Sequence, residues 1–127
     1  MPLDKIYDIE ADVFSPCAMG GILNNNTIPK LKAKIVAGSA NNQLLELEHG
    51  NILHQMGIIY APDYIINAGG LINIAHERNP QGYSRERALI DTEKIYERLK
   101  NIINISKKDN IPTYLVADKI TEKRINS

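Results

Sequence analysis

The sequence contains no tryptophan, one phenylalanine and one cysteine, Cys17, among its 127 residues. A single cysteine allows no internal disulfide, which is typical of a protein from a reducing compartment such as the cytoplasm. Because aromatic side chains are so few, isoleucine and leucine must build most of the core. Hydrophobic residues still make up 43% of the chain, which is enough for one compact domain of this length.

An excess of charge is also missing, since 15 basic and 15 acidic side chains give a formal net charge of zero. Nucleic-acid binding needs a basic excess or patch, so we expect no nucleic-acid partner. No apolar run approaches the roughly 20 residues of a membrane-spanning helix, and the start of the chain turns acidic at Asp4, unlike a signal peptide. We therefore expect no membrane association and a cytoplasmic location.

Short apolar islands alternate with helical patterns along the chain. Strands are predicted over 12–15, 33–37, and 58–60 continued by 64–66. Helices are predicted over 49–56, 70–78, 84–107 and 113–125. Weaker helical signals lie at 27–31 and 41–47. Each strand candidate is β-branched and apolar on both alternations, which favours a parallel sheet covered on both faces. Ser84 is the expected N-cap of the longest helix.

This order predicts an α/β fold, a partial Rossmann-type parallel sheet flanked by helices and followed by long C-terminal helices. No Gly-x-Gly-x-x-Gly is present, so the first Gly-rich βαβ unit of a dinucleotide fold is lacking. Residues 1–80 are expected to be the second half of a dinucleotide-binding domain. Residues 81–127 are expected to be a C-terminal helical segment packed on it.

Ligands of open parallel sheets bind beyond the carboxyl ends of the strands. Three such ends, at 16–18, 38–42 and 67–70, combine small residues with neutral hydrogen-bonding groups. Small residues let a flat ring or a ribose approach the backbone, and asparagine can hold a carboxamide. Gly and Asn also make ordinary tight turns, so both interpretations stay open.

Groups for acid–base, nucleophilic or metal chemistry are hard to find. Cys17 has no nearby histidine in sequence and is more simply a small buried thiol. His49, His54 and His76 lack zinc-ligand spacing, so no metal site is expected. Asp63 is interpreted as a turn residue, and residues 76–78 as a charged, exposed helix end. We therefore predict no catalytic residue within this chain.

Four segments together resemble one known family. Residues 12–21 resemble its "D-I-F-x-P-C-A-L-G-G", residues 37–44 its "A-G-S-A-x-N-Q-L", residues 60–70 its "Y-A-P-D-Y-V-I-N-A-G-G", and residues 111–114 its "I-P-T-Y". Order and spacing agree over nearly the whole chain. The sequence is thus similar to the glutamate/leucine/phenylalanine/valine dehydrogenases, nearest their leucine branch.

The resemblance implies NAD-dependent oxidative deamination of an L-amino acid, here L-leucine, to 4-methyl-2-oxopentanoate and ammonium. In the family, the catalytic lysine and aspartate and the Gly-rich turn precede the segment matched here. The chain is therefore expected to be the C-terminal part of such an enzyme, inactive alone, and to form homo-oligomers through its incomplete sheet. A phenylalanine or valine dehydrogenase, or a non-catalytic nucleotide-binding or assembly module, remains an alternative.

The resemblance also implies roles for individual residues. Seven residues are implied to contact NAD. They are Cys17 and Ala18 beside the adenosine half, Ala40, Asn41 and Asn42 near the nicotinamide ribose, Asn67 at the nicotinamide and substrate end, and Ser39. Leu71 and Ile74 fall where the family lines its substrate side-chain pocket, and they share one helix face. Two departures from the family pattern are His76, where an acidic residue is more usual, and Leu71, where valine is common.

Overall fold

The computed structural model of the chain describes residues 3–126 and contains a parallel sheet of three two-residue strands. These are β1 (Val13–Phe14), β2 (Ile35–Val36) and β3 (Ile59–Tyr60). They lie in the order β1-β2-β3 and are paired in parallel, so their carboxyl ends meet at one edge. The predicted α/β arrangement with a parallel sheet is confirmed.

Helices connect the strands and follow the last one. They are α1 (Glu48–Gln55), α2 (Asp63–Ile66), α3 (Gly69–Glu77), α4 (Arg85–Asp109) and α5 (Thr113–Ile125), with 3-10 helices at Leu3–Asp8 and Ile28–Lys30. The helices predicted over 49–56, 70–78, 84–107 and 113–125 are confirmed to within two residues at each end. None of the helices among residues 3–126 combines the length and the apolar character needed to cross a membrane.

Both ends of α4 have capping features that the sequence predicts. The Ser84 hydroxyl accepts a hydrogen bond from the backbone N–H of Arg87 at 3.3 Å, the expected N-cap contact. Lys107 and Lys108 occupy the last turn, where cations favour the helix dipole. Asn110 then adopts a left-handed conformation (φ 52°), which ends the helix.

The main core joins β2 and β3 to α1 and to the second 3-10 helix. It consists of the buried residues Leu23, Ile28, Leu31, Val36, Leu53, Ile58 and Tyr60. A second, smaller cluster of Ile102, Val116 and Ala117 lies where α4 meets α5 and receives Ile65 from α2. Ile102 on α4 therefore packs against α5 and α2.

Two predictions of secondary structure are wrong. Residues 64–66 are not a strand but belong to α2, because Pro62 begins a helical turn in which its carbonyl accepts the N–H groups of Ile65 and Ile66. Residues 41–47 form no helix. Asn42 has φ 52°, which breaks a right-handed helix, and the segment instead forms a short bridge at Leu44 with Leu23.

Candidate functional site

The carboxyl ends of β1 and β2 lie in direct backbone contact. The N–H of Ala40 donates to the carbonyl of Pro16 at 3.0 Å. A Cβ on Gly38 would lie 2.1 Å from that same carbonyl oxygen, so only glycine fits between the two chains. The close approach brings Cys17 beside Ser39, two residues implied to contact the cofactor.

Cys17 is exposed, which corrects the expectation of a buried thiol. Its Sγ lies 3.3 Å from the Ser15 hydroxyl. That hydrogen bond, followed by those from the backbone and side chain of Ser39, lowers the pKa of the thiol from 9.0 to about 7. A substantial fraction is therefore thiolate at neutral pH, stabilised by hydroxyl and amide donors rather than by a histidine.

Gln43 fixes the loop that follows β2. Its fully buried side chain donates from Nε2 to the carbonyls of Gly38 at 2.7 Å and Ala40 at 2.9 Å. Its Oε1 is also buried and has no partner among the described residues. With Asn42 in the left-handed region, this anchor turns Asn41 and Asn42 outward, and both are exposed.

Asp63 links the ends of β2 and β3. This buried carboxylate accepts the Gln43 backbone N–H at 3.1 Å through Oδ2 and the Tyr64 N–H at 2.9 Å through Oδ1. The sequence pattern indicated only a turn residue, and nothing in it signalled burial. Asp63 therefore crosslinks two strand ends, and its place on the wall of the site was missed.

Asn67 completes the convergence of the strand ends. Its Nδ2 donates to Asn41 Oδ1 at 2.5 Å and lies 3.4 Å from the Ser39 carbonyl. An open groove of about 520 Å³, the strand-end groove, lies beside this pair. It is lined by Asn41, Asn42, Asp63, Tyr64, Asn67, Ala68 and Leu71. The donors that face it are neutral amides, and its only acidic group is Asp63, already bonded to two N–H groups.

The residues singled out from the sequence fall into three groups. Asn41, Asn42, Asn67 and Leu71 line the groove. Cys17, Ala18 and Ser39 are exposed at the β1–β2 end outside that lining, whereas Ala40 is buried and offers only its backbone. Ile74 is half exposed one turn beyond Leu71 and does not line the groove.

Tyr64 is a further groove residue that sequence reasoning missed. Its hydroxyl donates to Asp118 of α5 at 2.8 Å. Burial, together with the hydrogen bond to Asp118, raises the pKa of the phenol well above its usual range, so it stays protonated. The wall of the groove is thereby tied to the C-terminal helix.

His76 corrects a second expectation, that of an exposed charged helix end. Its side chain is 13% exposed, and Nε2 lies 2.8 Å from Asp91 Oδ2 on α4. The other two histidines contact neighbours: His49 Nδ1 accepts the Glu46 N–H at 3.0 Å, and His54 Nε2 lies 3.2 Å from Asn110 Oδ1. Within residues 3–126, no group of three or more His, Cys, Asp or Glu side chains is arranged to hold a metal ion.

Comparison with known proteins decides the family. The model of the glutamate/leucine/phenylalanine/valine dehydrogenases matches residues 1–124. The chain belongs to this family. It is 57% identical over 124 residues to the leucine dehydrogenase of Geobacillus stearothermophilus, covering 98% of this chain and 33% of that protein. It is 53% identical over 122 residues to the phenylalanine dehydrogenase of Lysinibacillus sphaericus, covering 96% and 32%.

A solved member of the family has the same fold. The crystal structure of L-tryptophan dehydrogenase from Nostoc punctiforme matches with a TM-score of 0.92 at 46% identity, covering 98% of this chain and 37% of that one. The chain thus spans about a third of the length of the curated relatives that it matches. These relatives are amino-acid dehydrogenases with different substrates, so family membership alone does not select the substrate.

Proposed function

We propose that this chain is the C-terminal part of an NAD-dependent amino-acid dehydrogenase of the leucine branch. In this proposal residues 1–80 are the second half of a Rossmann-type nucleotide domain, and residues 81–127 are a helical segment packed on it. The observation that carries the proposal is the strand-end groove, where Asn41 and Asn67 from two different strand ends meet through their side-chain amides. Parallel α/β sheets bind nucleotides at this edge.

The groove fits the nicotinamide half of NAD better than its diphosphate. Its amide groups can donate to and accept from ribose hydroxyls and a carboxamide, and no basic side chain lies in its lining. Asn41, Asn42 and Asn67 would hold that half, with Ser39 and the backbone of Ala40 beside them. Cys17 and Ala18, at the end of β1, would face the adenosine half. When bound, NAD supplies the acceptor for the hydride removed from the amino acid.

Leucine is the substrate that we favour. Leu71 lines the groove beside its amides, and Ile74 lies one helical turn beyond Leu71, so the two offer an aliphatic wall that begins in the groove and extends past it. Aliphatic walls suit a branched-chain side chain, and one methylene of difference is worth about 1–3 kcal/mol in discrimination. The identity of 57% to a leucine dehydrogenase supports the same choice.

Phenylalanine is the second candidate. The 53% identity to a phenylalanine dehydrogenase is nearly as high, and Leu71 is 72% exposed, so the wall is open enough for a larger ring. Replacing Leu71 by Ala should then widen the site and move preference toward phenylalanine. An unchanged ratio of kcat/KM for the two amino acids would argue against Leu71 as a wall residue.

Partners and location follow from the same proposal. We expect the substrate amino acid, NAD and further copies of the same subunit as partners, in the cytoplasm. β1 and β3 are both edge strands, and Val13 on β1 is 48% exposed, which leaves surface for association. Sedimentation equilibrium of the chain should show self-association. A monomer at every concentration would contradict the expected exposed edge.

A chimera tests the function directly. Residues 1–124 replace the matching 124 residues of the Geobacillus stearothermophilus leucine dehydrogenase, and NADH formation from L-leucine is measured. We expect an active chimera, and we expect the 127-residue chain alone to form no NADH, because in the family the catalytic lysine and aspartate precede the matched segment. Asn67→Ala in the chimera should raise the KM for NAD about tenfold, the cost of one hydrogen-bonded contact.

A matched control is available in Asn104, an exposed residue of α4 outside the groove. Asn104→Ala should leave the KM for NAD and the KM for L-leucine unchanged. A correctly folded chimera that binds neither NAD nor leucine would contradict the proposed function. An active chimera in which Asn67→Ala behaves like Asn104→Ala would contradict the proposed cofactor site.

A further inference from the structure

Helix α3 carries the proposed substrate wall, yet none of its nine residues is buried. A helix is usually held by an apolar face packed on the core, and α3 lacks a fully covered one. Two polar contacts tie its second half to neighbouring elements. His76 Nε2 lies 2.8 Å from Asp91 Oδ2, and Asn73 Oδ1 accepts the Tyr83 hydroxyl at 3.0 Å.

The His76–Asp91 contact is the better shielded of the two. The His76 side chain is 13% exposed and Asp91 is 38% exposed, whereas Tyr83 and Asn73 meet at the surface. Since a carboxylate can only accept, Nε2 of His76 donates the hydrogen. Lys94 contacts the other oxygen of Asp91 at 2.6 Å, and the hydrogen bonds from Lys94 and His76 hold the pKa of Asp91 below its usual value.

The His76–Asp91 contact lies near the C-terminal end of α3, so it can restrain the helix segment that carries Leu71 and Ile74. The helix begins at Gly69 and Gly70, and a Cβ on Gly70 would meet nothing within 4 Å. Glycine restrains backbone direction weakly, so the start of α3 can act as a pivot. His76 lies six residues beyond Gly70, about 9 Å at 1.5 Å per residue. Leu71 and Ile74 lie between the pivot and this anchor.

We propose that His76 and Asp91 are positioning residues that fix α3, and that they thereby set the position of Leu71 in the strand-end groove and of Ile74 one turn beyond it. The proposal deepens the proposed function, because it names what determines the shape of the substrate wall. His76 acts through the helix and is not placed in contact with substrate. An acidic side chain at position 76 would face Asp91 with like charge, whereas the imidazole can donate a hydrogen bond to it.

Methyl NMR of the 127-residue chain, labelled at leucine and isoleucine, tests the positioning. In His76→Ala we expect the methyl resonances of Leu71 and Ile74 to move, while those of Leu53 in the core stay in place. Amide exchange over 72–77 should accelerate about tenfold, since local opening of α3 then loses its anchor. His54→Ala, which removes an imidazole bonded to Asn110, is the matched control and should leave α3 unchanged.

A variant in which His76 and Asp91 exchange places distinguishes a positioning role from a general loss of stability. His76→Asp alone should displace the wall, because two carboxylates then meet. His76→Asp combined with Asp91→His restores a facing imidazole and carboxylate, and should return the Leu71 and Ile74 resonances toward their original positions. Unmoved resonances in the single variant, or no return in the double variant, would overturn the proposal. If His76→Ala does not fold, this pair of variants decides.

Activity in the chimera addresses specificity. There His76→Ala should change the ratio of kcat/KM for leucine over phenylalanine by about threefold or more, mainly through KM, and the exchanged pair should recover the original ratio. An active chimera with an unchanged ratio would overturn the specificity role. An inactive chimera would count against the proposed function, whereas the methyl and exchange results would still decide whether His76 and Asp91 position α3.

Discussion

Leu53 and Leu71 are the same side chain in two regions built differently. Leu53 on α1 is fully buried in the main core, whereas Leu71 on α3 is 72% exposed beside the strand-end groove. The core is held by apolar contact, which contributes about 1.5–3 kcal/mol for each large side chain buried. The groove is held by single hydrogen bonds, each contributing about 0.5–1.5 kcal/mol net.

This difference separates what makes the chain fold from what makes the site. The sheet and α1 can form without the amides of the groove being satisfied by any ligand. The groove and α3 depend on fewer buried contacts, so substitutions there should change the free energy of unfolding less. Substitutions should therefore divide into a class that changes stability and a class that changes the site, and paired variants test this.

The sharpest pair is Gly38→Ala against Gly70→Ala. A methyl group at Gly38 would lie 2.1 Å from the Pro16 carbonyl oxygen, so β1 and β2 would have to separate. We expect a loss of more than about 3 kcal/mol, enough to unfold much of a marginal domain. At Gly70, in a helix with open space around it, alanine should stabilise by about 0.5–1 kcal/mol. Urea unfolding followed by circular dichroism measures both, and equal effects would contradict the contrast.

Leu53→Ala and Leu71→Ala remove the same atoms from the two regions. The buried site should lose about 2–5 kcal/mol because a cavity remains. The exposed site should change by less than about 0.5 kcal/mol. The difference in urea midpoint, at unchanged slope, is the measurement. A loss at Leu71 comparable to that at Leu53 would mean that α3 contributes to the core, contrary to the exposure of its residues.

Asp63→Asn tests the crosslink between the strand ends. Both carboxylate oxygens of Asp63 accept backbone N–H groups, so either orientation of the amide places an NH₂ group against a donor. We expect a loss of about 2 kcal/mol. Asp12→Asn is the control. Asp12 pairs with Lys34 at 2.9 Å with both side chains more than 80% exposed, and such pairs contribute about 0–1 kcal/mol. Similar losses in thermal unfolding would contradict the structural role of Asp63.

Much of the fold was readable from the sequence where local signals agree. Ser84 marks the start of α4 and the lysines of its last turn mark its end, and both signals appear in the structure. The prediction failed at residues 64–66, where an apolar run looks the same as a strand or a short helix. In the structure this segment is helical because Pro62 precedes a helical turn and Ile65 packs on α4. The packing is a tertiary contact, which the local sequence does not show.

The sequence predicted which edge of the sheet carries the site, but it did not predict the buried side chains that hold the site in place. Small residues and asparagines after strands indicated the right edge, because parallel strands end together. Asp63 was interpreted as a turn residue and His76 as part of an exposed helix end, since a charged residue is normally exposed. Their burial depends on Gln43 and Asp91, which lie 20 and 15 residues away, and sequence spacing carries no sign of such partners.

The smallest expected effect concerns the reactivity of Cys17. This thiol lies where β1 and β2 end, and it tests whether Ser15 from the first segment or Ser39 from the second has the larger influence on its pKa. The thiol is exposed and its pKa is lowered to about 7, first by the Ser15 hydroxyl and then by Ser39. Since only the thiolate reacts, alkylation by iodoacetamide should rise through about pH 7, whereas an unshifted thiol at 9.0 would still be mostly protonated at pH 8. Ser15→Ala removes the largest cause, so the pKa should rise and the rate at pH 7 should fall several-fold, with the rate at pH 10 unchanged. Ser84→Ala, at the remote N-cap of α4, serves as control. A pH profile that is identical with and without the Ser15 hydroxyl would mean that Ser39 alone sets the reactivity of this strand end.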